Sequence, residues 1–152
     1  FIAPLNWDQR HTLNVSVAYN KPGEYGFSII GNIYSGQPYT PQVNPNTRVK
    51  QNAFPRNSGM KPTIFNVDLR TFKDFEILGN RFTLFLNVYN VFDFDKPNNV
   101  YGDTGDPYYS FGLLQARRID PTLYNNDLQD LYLNPTFFSE PRRVELGFTY
   151  NL

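Results

Sequence analysis

Asp103-Thr104-Gly105 matches the tripeptide that positions a catalytic carboxylate in aspartic proteases, where it follows an apolar strand and works with a second carboxylate. Here it lies among Tyr101, Gly102, Asp106 and Pro107, residues that favour turns, and the protease reading fails on that context. Asp93, Asp95, Asp103 and Asp106 together could offer an oxygen-rich calcium site. A solvated polar loop explains them more simply and is the favoured reading. His11, the single histidine, has no second histidine or cysteine to join in a metal site or catalytic triad. The residues call for no cofactor and no enzyme activity.

Aromatic side chains are the other chemical resource. Tyr34, Tyr39, Phe54, Tyr101, Tyr108, Tyr109 and Phe111 fall at strand ends or in long connections. They could stack on a sugar, peptide or siderophore. The simpler alternative is an interfacial belt plus self-packing of the loops. Tyr101, Tyr108, Tyr109 and Phe111 are the ligand candidates, the last three being deepest in the final loop.

Composition narrows the class. Aromatics reach 17% while charged residues are only 18% of 152, and mean hydropathy is −0.50. A soluble core usually carries more charge and more Leu, Ala and Val. With 14 basic and 14 acidic residues the net charge is zero, which leaves no electrostatic footprint for nucleic acid. With no Cys there is neither a disulfide framework nor a thiolate metal site. No apolar run approaches the roughly 18 to 20 residues of a transmembrane helix. Barrel strands give a far weaker signal, of about 10 alternating residues each. The chain opens at Phe1 without Met or a leader-like segment, so it reads as a piece whose targeting sequence lies elsewhere.

Period-two alternation then places the elements. Strands are expected at 11–20, 26–35, 63–75, 81–92 and 141–152. Lys21-Pro22-Gly23 joins the first pair tightly, and a short connection from Glu76 to Asn80 joins the third and fourth. The stretch 36–62 is too irregular for a regular element, and 93–140 is a second long connection. Within it, Asp120-Pro121 resembles a helix cap followed by Pro, and a short helix is expected near 121–132. Outer-membrane barrels alternate short periplasmic turns with long extracellular loops, and the connection lengths follow that alternation. Leu13, Val15, Val17, Val67, Leu69, Leu84, Leu86, Leu146 and Phe148 are then expected to face lipid. Asn66, Asp68, Arg70, Arg143 and Glu145 are expected to face the lumen.

The ending ELGFTYNL, with Glu145, Gly147, Tyr150 and Leu152, resembles the signal by which outer-membrane barrels present their last strand to the barrel assembly machinery. Pairing of strand edges suits a regular terminal strand with a small residue to bend it. Four further segments resemble TonB-dependent receptor barrels. They are Leu5–Leu13 (LNWDQRHTL), Ser35–Pro41 (SGQPYTP), Asn66–Arg70 (NVDLR) with Lys73, and Asn87–Asp93 (NVYNVFD). Their order and spacing carry the resemblance.

That resemblance implies an all-β chain forming the last five or so antiparallel strands of a large transmembrane barrel with two long extracellular loops. The whole barrel would have about 22 strands around an N-terminal plug. It implies a bacterial outer-membrane location and uptake of a nutrient ligand powered through TonB. Implied partners are outer-membrane lipid, the rest of the barrel and its plug, the assembly machinery and a surface lipoprotein. One alternative is a barrel without transport, an adhesin or the anchor of a surface or secretion complex. Another is a soluble carbohydrate-binding β-sandwich.

Overall fold

The computed structural model describes residues 3–42, 54–119 and 134–151. The chain is mostly antiparallel β and divides into two compact units. One is a sheet unit of residues 12–34, 65–96 and 140–152. The other is a loop unit of residues 1–11, 35–64 and 97–139.

Five strands make the main sheet: β1 (Thr12–Lys21), β2 (Tyr25–Tyr34), β5 (Ile64–Ile77), β6 (Asn80–Tyr89) and β7 (Arg143–Asn151). Their spatial order is β1-β2-β5-β6-β7, so the sheet is an open meander with β1 and β7 at its edges. Register runs from Thr12↔Tyr34 to Lys21↔Tyr25, from Leu69↔Val88 to Ile77↔Asn80, and from Arg81↔Asn151 to Tyr89↔Arg143.

Turn chemistry fixes the first two of those registers. Pro22 followed by Gly23 at φ +75° suits a type II turn, closed by the Glu24 N–H on the Lys21 carbonyl at 3.1 Å. Sequence places the second connection at Glu76 to Asn80, but β5 runs on to Ile77 and the loop is only Leu78-Gly79. Both residues have positive φ, 55° and 78°, as a type I′ hairpin requires. At its other end β6 stops at Tyr89, short of the expected Phe92, because Asn90 turns to φ +54°. Asn90 is fully buried. Its N–H donates to Asp68 Oδ1 at 2.9 Å, and its side chain exchanges two hydrogen bonds with the Phe94 backbone. Asp68 and Asn90 thus lock the start of β5 to the end of β6.

The two faces of the sheet differ. On one, Leu13, Val15 and Val17 oppose Ile33, Gly31 and Ile29. On the same face Leu84, Leu86 and Val88 oppose Phe148, Leu146 and Val144. Most of these side chains are open to the surroundings, Leu146 being 70% exposed and Phe148 72%, while Leu86 and Val88 are half-buried. Rings gather at both ends of this aliphatic band. At the hairpin end Tyr19 lies 6.0 Å from both Tyr25 and Phe27, Phe75 lies 5.7 Å from Phe82, and Phe82 lies 5.1 Å from Tyr150. At the other end Phe94 lies 6.3 Å from Phe65 and 5.5 Å from Phe92. Lys73 breaks the charge segregation expected from sequence, since it opposes Leu84 on the apolar face. It stands four residues before the end of β5, where its long stem can carry the ammonium toward the rim.

The other face is polar and internally bonded. Thr83 Oγ1 donates to Asp74 Oδ1 at 2.6 Å, and Arg143 pairs with Glu145 at 3.4 Å while lying 4.5 Å over the Tyr89 ring. Two phenylalanines share it. Phe85 is directly opposite Gly147, and a Cβ on that glycine would overlap the Phe85 ring. Phe72 sits over Gly26 in the same way, with a Cβ at 2.5 Å from Cε1.

In the loop unit, the stretch expected to be irregular holds a short antiparallel pair, β3 (Pro38–Tyr39) with β4 (Gly59–Met60). Only two residues each, they leave no periodic signal in sequence. A helix, α1, spans Phe111–Ile119. Ser110 Oγ and Asp103 Oδ2 accept the N–H groups of Leu113 at 3.4 Å and Gly112 at 3.0 Å. Asp103 is a cap drawn from seven residues upstream of Ser110, which explains why sequence reading missed this helix. The helix expected near 121–132 falls outside the described residues.

Candidate functional site

Asn57 organises the loop unit. It is 6% exposed and holds φ +57°, a conformation asparagine tolerates better than most residues. Its N–H donates to Thr40 Oγ1 at 3.0 Å, and its amide nitrogen donates at 2.7 Å to both the Pro4 carbonyl and Asn6 Oδ1. Three separate chain segments are thereby tied together. Asn57→Ala removes the side-chain bonds to Pro4, Asn6 and Thr40, keeps the backbone N–H bond, and puts alanine where asparagine tolerates the left-handed region better. The expected loss is about 2–4 kcal/mol of local stability. Faster amide exchange at 38–42 and 57–61, without change in the sheet, is the readout.

Beside this clamp lies an open polar basin of about 500 Å³. Asn6, Tyr39, Gln42, Arg56, Lys61 and Asn99 present their side chains around it. Lys61 is held in position by donating to the Asn98 carbonyl at 2.6 Å. The amide oxygens of Asn6 and Asn99 are already taken, by Asn57 Nδ2 at 2.7 Å and the Val100 N–H at 3.0 Å. Among the described residues their amide nitrogens meet no acceptor and remain for a ligand. Among the described residues neither Arg56 nor Lys61 has an ion-pair partner, and no carboxylate lines the basin. The arrangement is rich in donors and net positive.

Of the aromatics singled out from sequence Tyr39 lines this basin, whereas the ligand candidates Tyr101, Tyr108, Tyr109 and Phe111 do not. Tyr101 lies 4.8 Å from Phe137, Tyr108 lies 5.4 Å from Phe138, and Tyr109 meets Phe111 edge-on at 5.8 Å. Burial first, then the nearby Asp103 carboxylate, pushes the Tyr101 hydroxyl above its ordinary value, so it stays protonated.

The acidic residues have local duties. Asp103 caps α1, Asp106 accepts the Tyr108 N–H at 2.7 Å, and Asp93 accepts the Arg142 N–H at 2.8 Å. Among the described residues no three His, Cys, Asp or Glu side chains gather as a metal site. His11 is exposed, and its backbone N–H donates to Ser35 Oγ at 3.0 Å.

Apart from Tyr39, sequence reading missed the basin. A further legible trace is that residues 25–67 contain no Asp or Glu but do contain Arg48, Lys50, Arg56 and Lys61.

In the terminal strand, Tyr150 Oη donates to Asn80 Oδ1 at 2.8 Å, and Glu145 pairs with Arg143. Gly147 has no positive φ, so its smallness serves the Phe85 ring and not a backbone bend. Leu152 lies outside the described residues. Among those residues no helix is long and apolar enough to cross a membrane, which says nothing of crossing by strands. No family model, curated protein or solved structure matches the chain.

Proposed function

We propose that this chain supplies the last strands of a bacterial outer-membrane β-barrel of the TonB-dependent transporter type. The observation that carries this reading is the layered apolar face of the sheet: an exposed aliphatic band with aromatic rings at both ends. A transmembrane barrel needs such a band between interfacial girdles. A soluble sandwich needs the opposite, an apolar face covered by protein. Among the described residues, prolines aside, Val100, in the loop unit, is the one buried aliphatic or aromatic side chain. Strand length agrees, since β1, β2 and β6 each have 10 residues and a tilted membrane strand needs about 9–11. Open edges at β1 and β7 call for further strands, because backbone groups in lipid must all be paired.

Transport is tested on the full-length protein. Retention of the periplasmic domain of TonB, lost when the N-terminal segment is deleted, is the expected result. A barrel that inserts yet never binds TonB would instead be an adhesin or an anchor.

The terminal residues supply a second test, of assembly. Leu152→Asp should strongly reduce the heat-modifiable, membrane-inserted fraction, whereas Asn151→Asp should not. An acid near the interface costs the finished barrel only about 0–1 kcal/mol, so a large loss reports recognition during assembly. Equal insertion of both variants and wild type would make the last strand an ordinary one.

A further inference from the structure

We infer that the basin between Asn57 and Lys61 is a binding subsite for an oxyanion-bearing ligand of about disaccharide size. Its volume of about 500 Å³ falls within the usual range of about 300–1,000 Å³ for small-molecule sites. Its chemistry is one-sided. Arg56 offers a planar fork that fits carboxylate or phosphate oxygens in pairs. Lys61, anchored through Asn98, offers a positioned ammonium with two further N–H groups. Asn6 and Asn99 have their oxygens occupied, which leaves them as donors, and Gln42 adds another amide at the rim.

Among the described residues of its lining an anion entering the basin meets no competing carboxylate. This is a local departure in a chain whose overall charge is zero, and it coincides with the acid-free run from residue 25 to 67. The rigidity of the floor matters as much as its charge. Asn57 fixes Asn6 and Thr40, so the donors are held before a ligand arrives. Shape and hydrogen bonding suit a sugar acid, a sugar phosphate or a short acidic peptide alike; the shared requirement is the oxyanion. The inference rests on the proposed transporter only for its use in uptake, since binding itself needs neither membrane nor TonB.

Calorimetric titration of the full-length protein in detergent, at low salt, tests it with sodium glucuronate, inorganic phosphate and glucose. At least one of the two anions should bind, and Arg56→Gln should weaken it tenfold or more. Gln42→Glu, which places a carboxylate in the basin at nearly constant volume, should abolish it. Glucose should show no dependence on Arg56. Response to glucuronate alone assigns a carboxylate ligand, to phosphate alone a phosphoryl ligand, and to both an oxyanion of either kind.

Arg56 is exposed, so heat-modifiability should be unchanged in the variant. Absence of binding by both anions, or equal affinity in wild type and Arg56→Gln, would overturn the subsite. Binding that persists in a protein unable to recruit TonB would uphold the subsite and remove only the transport reading.

Discussion

Leu146→Arg is expected to lower the stability of the inserted barrel by about 2–4 kcal/mol, against little or no change for Asn87→Lys. Leu146 is 70% exposed, stands in the middle of β7 and opposes Leu86 on the apolar face. On the proposed reading an arginine there would enter the hydrocarbon layer, where its charge loses water and gains no partner. Asn87 is the contrasting position. It opposes Glu145 on the polar face, so a lysine there meets water and an opposite charge. Denaturant titration of the full-length protein in lipid vesicles measures both. Tolerance of Leu146→Arg together with damage by Asn87→Lys would reverse the assignment of faces. Equal tolerance of both would remove lipid from the account altogether. Lys73 shows why depth has to be considered in choosing such sites. It lies on the apolar face, yet only about 9 Å below the hairpin end for a strand tilted by about 45°.

Gly147→Val is the second large effect expected. The new side chain would occupy the place of the Phe85 ring, forcing ring or strand to move at a typical cost of about 1–3 kcal/mol. Because β7 is an edge strand of the sheet, that displacement should also impair insertion. The decisive comparison is the double variant. Phe85→Ala opens the space, so Phe85→Ala with Gly147→Val should recover most of the stability and insertion lost by Gly147→Val alone. Failure of this rescue would mean that glycine is needed for backbone freedom in the terminal strand. The Phe72 and Gly26 pair provides an internal replicate, since it repeats the same seating between β5 and β2. An aromatic ring laid across a strand glycine shields backbone that would otherwise be bare, and that role is independent of transport.

Much of the sheet was legible in the sequence because strand alternation is a local property. Val15 and Val17, or Leu84 and Leu86, report their common face within a few residues. Pro22-Gly23 marks an end through its own backbone preferences, whereas the end of β6 before Asn90 was placed three residues late, at Phe92. Even there, locality failed where the determinant was a partner. Leu78 carries no turn signal, and only the pairing of Ile77 with Asn80 places it in a two-residue hairpin. Gly147 looked like a bending residue until Phe85 was found above it. Asp103 was read as a residue of a solvated polar loop, but it caps a helix.

The basin was beyond sequence reading for the same physical reason. Asn6, Gln42, Arg56, Lys61 and Asn99 come from four stretches of chain with no common period. Only Asn57, through bonds spanning 51 to 53 residues, draws the first of them to the third. Sequence by itself determined the strands, their faces and most of their ends, since these depend on neighbours along the chain. Which glycine receives which ring, and which cations share one basin, was decided by tertiary structure, because those contacts join residues that the chain keeps far apart.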